Sequence, residues 1–235
     1  MSVYTGSVAK AGTIKPAWYD LWMSLSNFTH RFSPAAPSLG KLLIVLHGRG
    51  DSMDGFTWLP EALNLPDTSY LFLNAPDDYF GGFSWYALPP QQGPGILRSR
   101  RMLFGVLDDL VARGWAPLDI ILFGFSQGCL MALDVGARYP SRLGGICGIS
   151  GYVHFAETLA TEVVPQAREM PWWVSAGRLD DVVPFAQTEQ GVLALQAVGV
   201  RVAFHAYEKG HTIDPVKELP AVREWLQGSF GGAHS

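Results

Sequence analysis

Cysteine is nearly missing. Cys129 and Cys147 are the only two in 235 residues, which excludes a disulfide-stapled scaffold, and their spacing fits no metal site. Both lie in apolar stretches, so they read as buried reduced thiols and the chain reads as cytoplasmic. Charge is scarce as well, at 16% of residues. Lys and Arg number 17 against 21 Asp and Glu, a net charge of −4, which leaves no basic surplus for a nucleic-acid partner. Arg98, Arg100 and Arg101 form the one tight cationic cluster and read as a solvated helix face. No run approaches the roughly 18 apolar residues of a membrane span. Lys10, Lys15 and Asp20 have no apolar core between them, so no secretory signal is expected.

What the chain does hold is apolar mass. Hydrophobic residues make up 48% of it, which argues against disorder. A chain of this length buries roughly 70–75% of its unfolded surface. No repeat, low-complexity tract or linker divides it. The expected organisation is a loose N-terminal arm over residues 1–18 and one domain over 19–230.

Alternating Tyr19, Leu21, Met23 and Leu25 suggest a half-buried strand, with 27–32 as a hairpin partner. From residue 41 onward, strands and helices alternate. Apolar runs predict strands at 41–46, 69–74, 120–123, 143–150, 172–176 and 200–207. Helical spacing predicts helices at 96–113, after 126, and over 185–198. A last helix is expected to be capped at Asp214-Pro215 and restarted at Pro220. This is an α/β pattern, a mostly parallel sheet with helices on both faces.

One junction carries chemistry. The strand at 120–123 runs without a linker into Gly124-Phe125-Ser126-Gln127-Gly128 and then into a helix. The five-residue pattern is weak by itself in a chain with 26 glycines. Between a strand and a helix it describes a nucleophile elbow, a sharp turn that lifts a serine hydroxyl above the sheet edge. A hydroxyl is a poor nucleophile at neutral pH and needs a base, which in turn needs an orienting acid. Acid and base should follow later in the chain, each after a strand. Asp180 lies just past the strand at 172–176 and is preferred to its neighbour Asp181. His211 lies just past the last strand. Among the other histidines, His205 sits inside a strand, His47 reads as a hydrogen-bonded scaffold residue and His234 lies in the tail; of all of them, His30 and His154 included, His211 alone fits both the order and the loop position. An oxyanion needs two donors already in place. The backbone N–H groups of Gln127 and Arg49 are the candidates. The Arg49 side chain reads either as a surface charge or as a bias toward acidic substrates.

Four motifs now stand in order: Leu46-His47-Gly48-Arg49-Gly50-Asp51-Ser52, Gly124 to Gly128, Gly177-x-x-Asp180-x-Val182-Val183-Pro184, and Gly210-His211. Together they resemble the phospholipase/carboxylesterase family over about residues 27–228, and Thr29-His30-Arg31-Phe32 is similar to strand sequence of its bacterial members. Cys129, Ala176 and Ala87 stand where the family often has Gly, His and Asp. The resemblance implies an α/β-hydrolase fold with no large cap domain, acting on carboxylic esters or thioesters with no metal or cofactor, and homodimers are common among such proteins. Trp85 and Tyr86 resemble an element lining the acyl groove, to which Trp58 and Tyr152 could add; core or rim packing is the other reading. The segment between Ser150 and Trp172 is too short for a lid domain. The expected function is a serine carboxylesterase for small esters of short to medium chain. A thioesterase or lysophospholipase acting on longer chains is the alternative, and a non-catalytic ligand-binding relative the remote one.

Overall fold

The run Lys41–Leu46 shows why the chain adopts its layers. It forms strand β2, along which side chains alternate between faces. Leu42, Ile44 and Leu46 enter one apolar cluster, whereas Leu43 and Val45 enter another. A strand apolar on both faces must be covered on both. The first cluster takes its cover from α2 (Gln92–Ala112), α3 (Gln127–Arg138) and α6 (Phe185–Ala197). The second takes it from α1 (Leu59–Leu63) and α7 (Glu218–Gly231). Each leucine fully buried in this way stabilises the fold by about 1.5–3 kcal/mol.

The computed structural model describes residues 28–35 and 40–231. The expected arm and the strand expected at 19–25 lie outside them. The remaining main-sheet strands are β1 (His30–Ser33), β3 (Thr68–Leu73), β6 (Ile120–Phe125), β7 (Gly145–Ile149), β8 (Trp172–Gly177) and β9 (Val202–Tyr207). They order as β1-β3-β2-β6-β7-β8-β9, parallel throughout except for β1 on β3. A small hairpin, β4 (Asp77–Tyr79) with β5 (Gly82–Ser84), stands apart. Between β7 and β8 lie only a 3-10 turn (Ala156–Thr158) and the short helices α4 (Leu159–Glu162) and α5 (Pro165–Glu169), so there is no large cap domain among the described residues.

The topology selects where a ligand fits. After β2 the chain turns to one side to build β3, then crosses through α2 to build β6 on the other side. The loops leaving β2 and β6 diverge there and open a crevice at the C-terminal ends of the strands.

Three local expectations change. Helix α2 begins at Gln92, because Pro94 and two glycines fall in the first turn, where the amides have no helical partner anyway. Pro220 likewise lies inside the first turn of α7 and restarts nothing. Asp214 caps the preceding turn through Val216 N–H and Lys217 N–H. The arginine cluster is only partly solvated. Arg98 pairs with Asp77, and Arg100 reaches across to the buried Asp134 of α3 with two bonds of 2.6 and 2.8 Å. Asp134 also holds Arg138, whose guanidinium continues to Glu162, tying α3 to α4.

Candidate active site

Strand β6 ends in a turn that its two glycines make possible. A side chain at Gly124 would collide with the carbonyl of Gly128, and one at Gly128 with the carbonyl of Leu46. Ser126 between them has φ 56° and ψ −118°, a left-handed conformation that costs a non-glycine residue about 1–3 kcal/mol. The turn is held by Ser126 N–H donating to Ile149 O at 2.9 Å. Its hydroxyl is thereby raised at the start of α3.

The three side chains expected to meet do meet. Ser126 Oγ–H donates to His211 Nε2 at 2.8 Å. His211 Nδ1–H donates to Asp180 Oδ2, also at 2.8 Å. Because a carboxylate only accepts, this pair assigns the ring proton to Nδ1 and leaves Nε2 to accept from serine. The other Asp180 oxygen accepts Val182 N–H at 3.0 Å and Val183 N–H at 2.8 Å, which prevents the carboxylate from rotating. Phe125 packs against the imidazole, with centroids 5.0 Å apart. The arrangement can take a proton from the hydroxyl as it attacks.

The loop carrying His211 is fastened from below. Lys209 Nζ donates to both carboxylate oxygens of the buried Glu218, at 2.6 and 2.5 Å, and to Thr212 O at 2.7 Å. Lys209 O accepts Leu179 N–H at 3.1 Å, linking the histidine loop to the acid's loop. Burial lowers the Lys209 pKa against the opposing pull of Glu218.

Gln127 opens α3, so its N–H has no partner within the helix. The Arg49 N–H meets no backbone acceptor among the described residues. The Arg49 loop is strapped to β5 by Gly50 N–H to Phe83 O at 2.8 Å and Phe83 N–H to Asp51 O at 2.9 Å. His47 braces it from beneath, with Nδ1–H donating to Gly48 O at 2.6 Å and Nε2 accepting Ala75 N–H at 3.0 Å. Burial holds this ring below the ordinary histidine pKa.

A pocket of about 210 Å³ opens beside Ser126. Its walls are Tyr86, Leu88, Pro89, Tyr152, Val182 and Val183, with Arg49 and Gln187 also at its lining. A larger hollow of about 410 Å³ by Arg142, Pro171 and Trp225 lies at the other end of the sheet, away from these side chains. Trp85 is a correction, since it does not line the groove. It is 0% exposed, with its indole N–H on His47 O at 2.9 Å and its ring against Phe28 and His47. Tyr86 does line the groove. Trp58 is 41% exposed and stacks on Phe56 instead. The sequence reading missed the Gln127 carboxamide. It accepts Trp85 N–H at 2.9 Å and donates to Tyr86 O at 2.8 Å, holding the pocket wall to the elbow. Among the described residues no group of three His, Cys, Asp or Glu could hold a metal ion.

A mostly parallel sheet, a serine on a strained turn after a central strand, and an acid and a histidine on later loops define an α/β-hydrolase. The phospholipase/carboxylesterase family matches residues 33–229, and the chain belongs to it. It is an enzyme, a carboxylic ester hydrolase of the serine class. A probable carboxylesterase of rice, Oryza sativa subsp. japonica, is 30% identical over 82% of this chain and 79% of that protein. Acyl-protein thioesterase 1 of Yarrowia lipolytica is 28% identical over 83% and 94%. Among solved structures, esterase PE8 superposes with a TM-score of 0.78 at 30% identity, covering 86% of this chain and 99% of that one. No helix among the described residues is long and apolar enough to cross a membrane.

Proposed function

We propose that the protein is a serine carboxylesterase for small esters of short to medium acyl chain, with Ser126 as nucleophile, His211 as base and Asp180 as its orienting acid. The observation that carries this reading is the unbroken relay of two 2.8 Å bonds opening onto a pocket. Ser126 Oγ attacks the ester carbonyl while its proton passes to His211 Nε2. The carbonyl electrons move onto oxygen, facing the N–H groups of Arg49 and Gln127. Asp180 stabilises the imidazolium, which then protonates the departing alcohol. Water, deprotonated by the same imidazole, attacks the acyl-serine and releases the carboxylic acid with Ser126 restored. Two buried thiols support a reducing, cytoplasmic home.

Pocket size supports the chain-length assignment. A volume of about 210 Å³ falls below the roughly 300–1,000 Å³ of drug-sized sites. Acyl-protein thioesterases among the relatives favour a second reading, thioester hydrolysis with longer acyl groups. A matched series of esters and thioesters from four to sixteen carbons decides between them. The expected optimum is at the short end, on oxygen esters; preference for sixteen carbons over four reverses the assignment. Ser126→Ala is expected to lose turnover by roughly 10⁴–10⁶ and to lose labelling by a fluorophosphonate. Retained labelling at full rate in that variant removes the nucleophile.

A further inference from the structure

Arg49 brings a positive charge to the pocket that no acid among the described residues pairs with. Its guanidinium sits over the Tyr79 ring, with Cζ 4.0 Å from the ring centroid. That stacking holds the long side chain in place and leaves its edge open to an acceptor. Its Nε is buried with no hydrogen-bond partner among the described residues. No salt bridge to Arg49 is formed among the described residues, and the acids near it in the chain or the site make the contacts that follow. Asp51 accepts Ser52 N–H at 2.7 Å, Asp77 pairs with Arg98, and Asp180 holds His211. The apolar walls of the pocket carry no acid, and neither do Gln127 and Gln187 beside them. Arg49 is thus a lining residue of the pocket whose guanidinium has no counter-charge among the described residues, and a guanidinium is a planar pair of donors matched to a carboxylate.

We infer that the pocket takes esters bearing a second, free carboxylate, which the Arg49 guanidinium binds while the ester carbonyl sits over Ser126. This rests on the esterase reading and names its substrate class. The same residue offers its N–H beside the reacting carbonyl and its guanidinium one side-chain length away. The carboxylate must therefore follow the ester by a short chain, as in the monoesters of succinic or glutaric acid. Long neutral acyl groups would leave the guanidinium without a counter-charge.

Monoethyl glutarate and ethyl pentanoate differ at the chain end, carboxylate against methyl, and hydrolysis of both is followed by proton release. The wild-type protein is expected to show a higher kcat/KM for the glutarate monoester. Arg49→Met is expected to lower the ratio of the two by about tenfold or more, as befits a hydrogen bond between charged groups. Arg49→Lys keeps part of the ratio, since charge remains while the fork is lost. Higher salt also lowers it. A wild-type preference for ethyl pentanoate, or a ratio unchanged within about twofold in Arg49→Met, overturns the inference. A second measurement needs no turnover. Calorimetry compares binding of monoethyl glutarate to Ser126→Ala and to Ser126→Ala/Arg49→Met, and equal affinities again overturn it. Failure of the esterase reading looks different: the wild-type protein then hydrolyses neither ester, while the calorimetric comparison still reads the anion subsite.

Discussion

Lys209→Met isolates what fastens the histidine loop. The substitution keeps the length and apolar stem of the side chain and removes only the ammonium. Glu218, 0% exposed, is then left with Asp214 N–H at 2.9 Å as its remaining partner. Stranding one member of a buried ion pair costs about 3–5 kcal/mol. For a chain of this size each kcal/mol moves the melting temperature by about 2–4 °C, so the expected loss is about 6–20 °C. Adding Glu218→Gln removes the stranded charge yet keeps an acceptor for Asp214 N–H. The double variant is therefore expected to recover most of the lost stability, with a coupling of at least about 1 kcal/mol. Turnover should follow a different course. Thr212 O loses its anchor in both variants, one residue past His211, so kcat stays depressed by about tenfold or more even where the melting temperature returns. Scanning calorimetry with steady-state ester kinetics on the four proteins of the cycle measures both. A single variant melting within about 1 °C of wild type, or a double variant no better than the single, refutes the reasoning.

Three other outcomes follow from particular residues. Gly128→Ala reverses the sign that helix propensity predicts: alanine inside a helix ordinarily gains up to about 1 kcal/mol, but here its Cβ meets the Leu46 carbonyl, so a loss of about 3 kcal/mol or more is expected in denaturant melts. Burial lowers the pKa of His47, and of His205 in β9. Both stay neutral in the fold while their unfolded forms take up a proton near pH 6.5, so stability is full above that pH and is lost as pH falls toward the lowered folded values. A melting temperature that holds or rises as pH falls from about 7.5 to about 5.5 contradicts this. Gln127→Ala releases the pocket wall formed by Trp85 and Tyr86 from the elbow, leaving Trp85 N–H and Tyr86 O without the carboxamide that holds them. A loss of about 2 kcal/mol or more in urea melts is expected, with KM for short esters raised.

The elbow was readable because all its determinants are local: an apolar run, two glycines that exclude a Cβ, and a helix begin within a few residues of one another. Asp180 and His211 were readable because each follows a strand end. Features that depend on distant partners were not. Trp85 stands in a glycine-rich aromatic stretch and resembles a groove-lining residue, and only the arrival of Phe28 and the His47 carbonyl draws it inside. Arg100 looks like one of three solvated arginines until Asp134, on another helix, takes its guanidinium. Nothing in the local sequence marks Lys209 and Glu218 as the buried pair they form. The early start of α2 was hidden because no capping side chain marks it.

The turn that positions Asp180 also supplies Val182 and Val183, whose amides hold the carboxylate while the same two residues line the pocket. One wall of the cavity is thus mechanically joined to the proton relay, whereas Leu88 and Pro89 are not. A lineage adapting to a different acyl group can vary positions 88 and 89 freely, but each backbone shift at 182 or 183 also turns the imidazole. Selectivity is accordingly expected to drift on one side of the cavity and stay frozen on the other.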